Sequence, residues 1–356
     1  MADHTKSTSA QTGDTGVPEQ TVYPFIVPKL AQERHANVFV FGLESYPTVV
    51  IRAALNSRLH NLTGKMLLNW LSSYCETNRI KPSDMSLEKI KIAPTDLFCY
   101  AIVDRDGHPI RHDSEAILEP GLYGIFSKEK KPFLRVVGPR VPYSPFNHVN
   151  LDATLAQEQA VLNEIPAELR QKALERSGGR CEFTGTLDKV QACWVFPPSA
   201  AYNLYLDDPI PYHKYQVLAN VTIVASALVE AFLTNKFSVD IEDGGRIIIF
   251  EKLAPNAPML PTHLPTLPPL VDRRFWRLSF RHTLQHRLPV GHNAAADLEE
   301  PEYDGQQWMA ELRENPNDLR DKKWATPFGQ EIIRIYRVRQ ENGGQVWLPM
   351  KSLELS

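Results

Sequence analysis

Apolar positions follow two periods along this chain, a strand-like one in the first third and a helical one later. Asn37–Gly42 (Asn-Val-Phe-Val-Phe-Gly) and Pro47–Ile51 are β-branched and aromatic runs separated by turn residues, which predicts two strands. From Met66, the residues Leu67, Trp70, Leu71 and Tyr74 recur at i, i+3 and i+4 spacing. That spacing predicts a helix from a Thr63 cap through about Glu76. Leu97–Asp104 reads as a strand followed by a tight turn at Asp106-Gly107. Leu122–Ser127 and Pro132–Val137 read as a hairpin with Lys128–Lys131 at its tip. Helices are expected over Asp152–Asn163, over Pro166–Arg176 with Pro in an N-terminal position, and over Ser226–Leu233. A further helix is expected from an Asp272 cap to about Arg287. Phe237–Ile241 and Arg246–Phe250 form a hairpin around Asp243-Gly244-Gly245. Asn293–Lys323 reads as an extended or loosely helical connector. Glu331–Arg339 with Gln345–Leu348 suggests a terminal hairpin about Asn342-Gly343-Gly344, the first segment being open to a helical reading. The class is α+β: a polar, disordered tail over 1–19, a small α+β module over 20–141, a core with flanking helices over 142–292 and an extension over 293–356.

Composition narrows the function classes. Apolar content of 43% and charged content of 23% suit a soluble globular protein. The formal net charge is −3, and Ile165–Leu253 holds nine Lys/Arg against eleven Asp/Glu. A nucleic-acid binder normally carries a basic excess to displace phosphate counterions, so nucleic acid is a disfavoured partner. Cys75, Cys99, Cys181 and Cys193 form no C-x-x-C pair, which argues against a zinc ribbon. No apolar run approaches the length that spans a bilayer, and the polar first residues carry no secretory core. An intracellular protein, in cytoplasm or nucleus, with reduced thiols is expected. The 28 prolines, densest over Pro255–Pro269, predict rigid connectors.

The segment from Ala173 to Phe250 carries motifs. Its opening, Ala173-Leu174-Glu175-Arg176-Ser177-Gly178-Gly179-Arg180-Cys181-Glu182-Phe183-Thr184-Gly185, resembles the start of the HNH (ββα-metal) domain in a fungal subgroup of nuclease-like proteins. That family continues with Ala-His-Ile-Ile-Pro, whose His is the general base, whereas this chain reads Ala192-Cys193-Trp194-Val195-Phe196-Pro197. The family's Asn-Gly-Ile-Leu-Leu, Asp-Leu-His and Phe-Ser-Ile-Asp correspond to Asn220-Val221-Thr222-Ile223-Val224, Ala227-Leu228-Val229 and Phe237-Ser238-Val239-Asp240. The resemblance implies a degenerate ββα-metal core, with strands at Arg180–Thr184 and Cys193–Phe196 and a loop over Ser199–Leu218 before the Ser226–Leu233 helix. It places Trp194 at the base position and Val229 at a metal-ligand position. A water-activating base and a cation that neutralises the phosphate are both required for that hydrolysis. No metal and no cofactor are therefore expected, and the fold is expected to serve as a binding or pseudoenzyme module.

Two alternatives stay open. The loop Tyr202–Tyr215 gathers Tyr202, Tyr205, Tyr212 and Tyr215 with Asp207, Asp208, His213 and Lys214. Titratable groups among aromatic faces suit a small organic ligand. There His213 is the candidate acid or base, Asp207 or Asp208 would orient it, and Tyr212 stands beside it. This supports a repurposed metabolic enzyme doing metal-free isomerisation or cyclisation. The other alternative is a divergent nuclease that recruits His213. Ligand contacts are expected from Trp194, Tyr202, Tyr205, Asn220, Arg277 and Arg281. Asn220 has a plainer reading as a tie for the loop backbone, and the loop a plainer one as solvated surface. The Asp272–Arg287 helix carries an apolar stripe (Trp276, Phe280, Leu284), a basic stripe (Arg273, Arg277, Arg281), and His282 with His286 on another flank. It reads as a docked amphipathic helix or as an anion site. No protein partner is specified.

Overall fold

A computed structural model of the protein describes residues 23–45, 48–74, 81–96, 99–127, 160–187, 189–204, 211–270, 272–290 and 305–341. The fold is α+β. After a short helix α1 (Lys29–Glu33), strands β1 (Val38–Ser45) and β2 (Thr48–Leu55) pair antiparallel. Both are apolar almost throughout because both faces of each are covered, which removes the usual polar alternation. Val38 and Val40 of β1 enter one cluster, and Phe39, Phe41 and Leu43 enter another.

Asn56 caps the short α2 (Ser57–His60) by accepting from the backbone N–H of Arg58 and Leu59. The helix α3 (Gly64–Tyr74) follows, and Thr63 caps it as expected, its Oγ1 accepting from the Met66 N–H at 3.2 Å. Then come β3 (Met85–Asp96), β4 (Cys99–Arg111) and β5 (Gly121–Ser127). The strands close into a five-stranded barrel in the order β1-β2-β4-β3-β5, with β5 returning parallel to β1.

Two sequence expectations need correction here. β3 went unanticipated because its apolar positions change parity midway. Met85 and Leu87 enter the cluster built on α3, whereas Ile90 and Ile92 enter the other, so no single alternation runs the strand's length. Asp106-Gly107 does not end a strand. Leu87 pairs with Ile110 and Lys89 with Asp106, so Gly107–Pro109 bulge opposite Glu88, with Gly107 at φ +101° where glycine alone is unstrained. Leu122–Ser127 lies in β5, which pairs with β1 and β3; its expected partner Pro132–Val137 lies outside the described residues.

The second unit begins with α4 (Ala167–Ser177), which ends on Gly178 at φ 60°, where the N–H groups of Gly178 and Gly179 satisfy the last carbonyls. Arg180–Thr184 is a turn and not the expected strand: Cys181 N–H donates to Thr186 O, and Gly185 N–H to Cys181 O. The strands are β6 (Val190–Trp194) and β7 (Val221–Ala225), paired antiparallel with Trp194 opposite Val221. Helix α5 (Ser226–Leu233) follows at once, and β8 (Phe237–Asp240) and β9 (Arg246–Ile249) make the expected hairpin.

Helix α6 (Arg273–Arg287) joins the two units. Phe275 and Trp276 pack with the strand-pair cluster, while Phe280 and Leu284 pack with Trp70 and the barrel. Asp272 does not cap this helix by its side chain. Its backbone is already helical (φ −87°, ψ −19°), whereas a capping residue needs an extended conformation to reach the first amides. Polar ties reinforce the joint: Trp70 Nε1 donates to Asp240 Oδ2 at 3.3 Å, and Ala54 N–H to Leu288 O at 3.1 Å.

The expected connector contains helix α7 (Gly305–Glu314), and Glu331–Arg339 is helical within α8 (Pro327–Glu341). Leu312, Trp324, Phe328, Ile332 and Ile335 form their shared core, which favours helix over strand at that segment. Glu331 on α8 is fully buried, ion-paired with Arg334, and accepts from Tyr100 Oη of the barrel at 3.4 Å. Gln345–Leu348 lies outside the described residues.

Candidate functional site

The ladder between β6 and β7 puts Trp194 on one side of the strand pair and Cys193 on the other. Trp194 is 4% exposed, packs with Ile165, Ala173, Val221 and Ile223, and donates from Nε1 to Asn163 O at 2.8 Å. An indole so enclosed has no face for a ligand, which corrects its placement among the binding residues. Cys193 is buried with Cys181 in the opposite cluster, and burial pushes its thiol up to about 12, so it stays neutral. Half-buried Val229 packs on that same cluster. The base and metal-ligand positions named by the resemblance thus face different apolar clusters.

Asn220 is fully buried and ties the loop. Its Oδ1 accepts from Phe196 N–H at 2.9 Å, and its Nδ2 donates to Phe196 O and Tyr215 O, each at 2.8 Å. These bonds use its amide on backbone, so the tie is what the structure shows and the ligand contact is not.

The Tyr/Asp/His loop is described only in part. Tyr205, Asp207 and Asp208, and the Tyr202 side chain, lie outside the described residues. His213 is exposed, and Tyr212 is half-buried against the core. Arg277 is exposed and ion-paired with Glu242, and Arg281 is half-buried on the same helix. Among the described residues, neither guanidinium meets His213.

A cleft of about 400 Å³ opens instead beside the end of α4, between the Arg180–Gly185 turn and the Leu264–Pro269 segment. Its apolar walls are Val221, Leu264, Leu267, Pro268 and Trp276, and its polar groups are Arg176, Arg180, Glu182 and Asp272. Arg176 is held rigidly: Nη2 donates to Glu182 Oε1 at 2.8 Å and to Val221 O at 2.5 Å, and Nη1 to Leu218 O at 3.2 Å. Glu182 Oε2 accepts from Thr222 Oγ1 at 2.7 Å. Arg180 donates to Gly185 O at 3.2 Å. Asp272 differs from these groups. Among the described residues its carboxylate accepts no hydrogen bond, and partial burial, with Glu182 adding to it, holds its carboxyl above the usual range while Arg176 pulls the other way. Chemically the cleft offers an apolar slot with a carboxylate at its rim that bonds no described residue.

Sequence reasoning missed this cleft. Arg176, Arg180 and Glu182 were noticed only as parts of a motif, and Pro255–Pro269 only as a connector. The signal was present in the prolines, whose fixed φ holds an extended wall. No family model matches the chain, and neither a curated protein nor a solved structure matches it. Among the described residues no helix is long and apolar enough to cross a membrane.

Proposed function

We propose that this chain is a binding module on a nuclease-like ββα framework that does not hydrolyse phosphodiesters. The observation that carries the proposal is Trp194, which occupies the base position as a packed, hydrogen-bonded core residue. No imidazole stands there to activate water, and the neighbouring Cys193 thiol stays neutral. The strand–loop–strand–helix order, with Asn220 tying the loop, supports the framework half of the proposal. The binding half rests on the Asp272 cleft, which suits a small organic ligand presenting a hydrogen-bond donor to that carboxylate and an apolar body to Trp276 and Leu264.

The test is incubation of the full chain with supercoiled plasmid and single-stranded oligonucleotide in Mg(II), Mn(II) or Zn(II). No nicking above buffer is expected; metal-dependent cutting that co-purifies with the chain overturns the proposal. A second reading, metal-free acid/base chemistry on the bound ligand, is favoured by the raised carboxyl of Asp272 beside Glu182. It moves the candidate acid from His213 to Asp272. Once a turned-over ligand is found by screening, Asp272→Asn should abolish turnover and His213→Ala should leave it intact; the reverse pattern refutes it.

A further inference from the structure

Helix α6 carries an arrangement that neither the cleft nor the ββα framework uses. His282 and His286 lie four residues apart, so their side chains rise from one face of the helix. Their rings meet edge to face with centroids 4.5 Å apart and planes at 71°, and the two Nε2 atoms converge to 3.2 Å. Two nitrogens bound to one zinc at about 2.1 Å and a tetrahedral angle stand about 3.4 Å apart, so the existing separation is within a few tenths of an ångström of a chelate bite.

We propose that His282 and His286 form a two-imidazole clamp for a borderline divalent cation, with Zn(II) as its type. In the metal-free chain the pair is held by one Nε2–H donating to the other Nε2. Binding moves that proton to Nδ1 of the same ring, so each Nε2 offers a lone pair, both imidazoles stay neutral, and two aquo ligands leave the cation. Imidazole suits zinc, copper and nickel better than magnesium or calcium. Among the described residues no third His, Cys, Asp or Glu completes the set, so within them the clamp is bidentate.

The surroundings both favour and limit the site. Phe196 lies edge-on to His282 at 5.9 Å and restricts its ring, while exposed His286 gives access. Two cations stand close. Arg34 donates to the carbonyls of His286, Arg287 and Pro289, and Arg287 is paired with Glu251 at 2.8 Å. Glu251 offsets one of them, leaving a net repulsion that keeps affinity in the range of an exchangeable site.

The experiment is calorimetric titration of the chelator-treated full chain with ZnCl₂. One equivalent is expected, weakened at least tenfold by His282→Ala and by His286→Ala, and unchanged by His263→Ala. His286 is exposed, so its variant keeps the fold, and a thermal melt verifies this for each. Absence of zinc binding, or binding unchanged in both clamp variants, overturns the proposal. Zinc bound here without plasmid cutting leaves the non-nuclease proposal standing, so the two fail separately.

Discussion

Replacing Asn220 by Ala removes a side chain that ties the two ends of the loop between β6 and β7. Three backbone groups lose their bond to this amide: the N–H and O of Phe196 and the O of Tyr215. The side chain is fully buried, so water does not replace those bonds without opening the loop. A buried polar group left unpaired costs about 1–3 kcal/mol, with carbonyls at the low end because each has a second lone pair. The sum is about 3–5 kcal/mol, against about 5–15 kcal/mol for the stability of a typical domain. With a urea slope of about 3 kcal/mol per molar, the unfolding midpoint falls by about 1 M or more. Asn220→Asp fares no better, since it keeps an acceptor for Phe196 N–H but turns a carboxylate oxygen toward two carbonyls. The assay is urea unfolding followed by tryptophan fluorescence, in which Trp194 reports on the adjoining strand. A loss below about 1 kcal/mol for Asn220→Ala, within the ordinary range for a surface change, refutes the tie and restores Asn220 as a pocket residue.

Further outcomes are expected at three positions. Trp194→Ala should cost about 3–5 kcal/mol by emptying a core site, and Trp194→His should show no plasmid nicking, because Cys193 and Val229 stay packed in the opposite cluster and bring no ligand to it; nicking by that variant would show a latent metal site. Burial raises the Asp240 carboxyl beside Trp70. The folded state therefore holds the proton more tightly than the unfolded state, and stability falls as pH rises from the ordinary value of 3.8 through the raised one. Asp240→Asn should flatten that part of a stability-versus-pH curve, and an unchanged slope would remove Asp240 as its source. Gly329→Ala drives a Cβ into Lys323 O and to 2.7 Å from Trp324 Cα, so the α7–α8 pair should become sensitive to limited proteolysis near residues 315–326. A digestion pattern equal to the parent's would refute that.

What could be read along the chain depended on whether one periodicity held over a whole element. Helices α3, α5 and α6 each bury one continuous stripe, so the helices expected from the Thr63 cap, over Ser226–Leu233 and from Asp272 to about Arg287 were legible, the expected end at Glu76 lying outside the described residues. The hairpin at Asp243-Gly244-Gly245 was legible because a short turn signal sat between two apolar runs. β3 was not, since half of it serves each core cluster. Helix α8 read equally as a strand, because Glu331 falls in its apolar stripe and is acceptable only once Arg334 and Tyr100 are beside it. The candidate site was least legible for the same reason of distance: Arg176 and Glu182 meet Leu264 and Asp272 only in the folded chain.

The packing around Trp194 also bears on the cleft that lies next to it. An indole on a short strand packs poorly unless its surroundings close on the ring. Here Ile165, Ala173, Val221 and Ile223 close on it, and Asn163 O takes its N–H. Trp194 pairs across the ladder with Val221, which also lines the cleft and whose carbonyl anchors Arg176. A packed Trp194 therefore stiffens the cleft wall through one backbone pair. The packing that encloses the indole thus also supports the frame of Arg176 and Glu182 at the cleft.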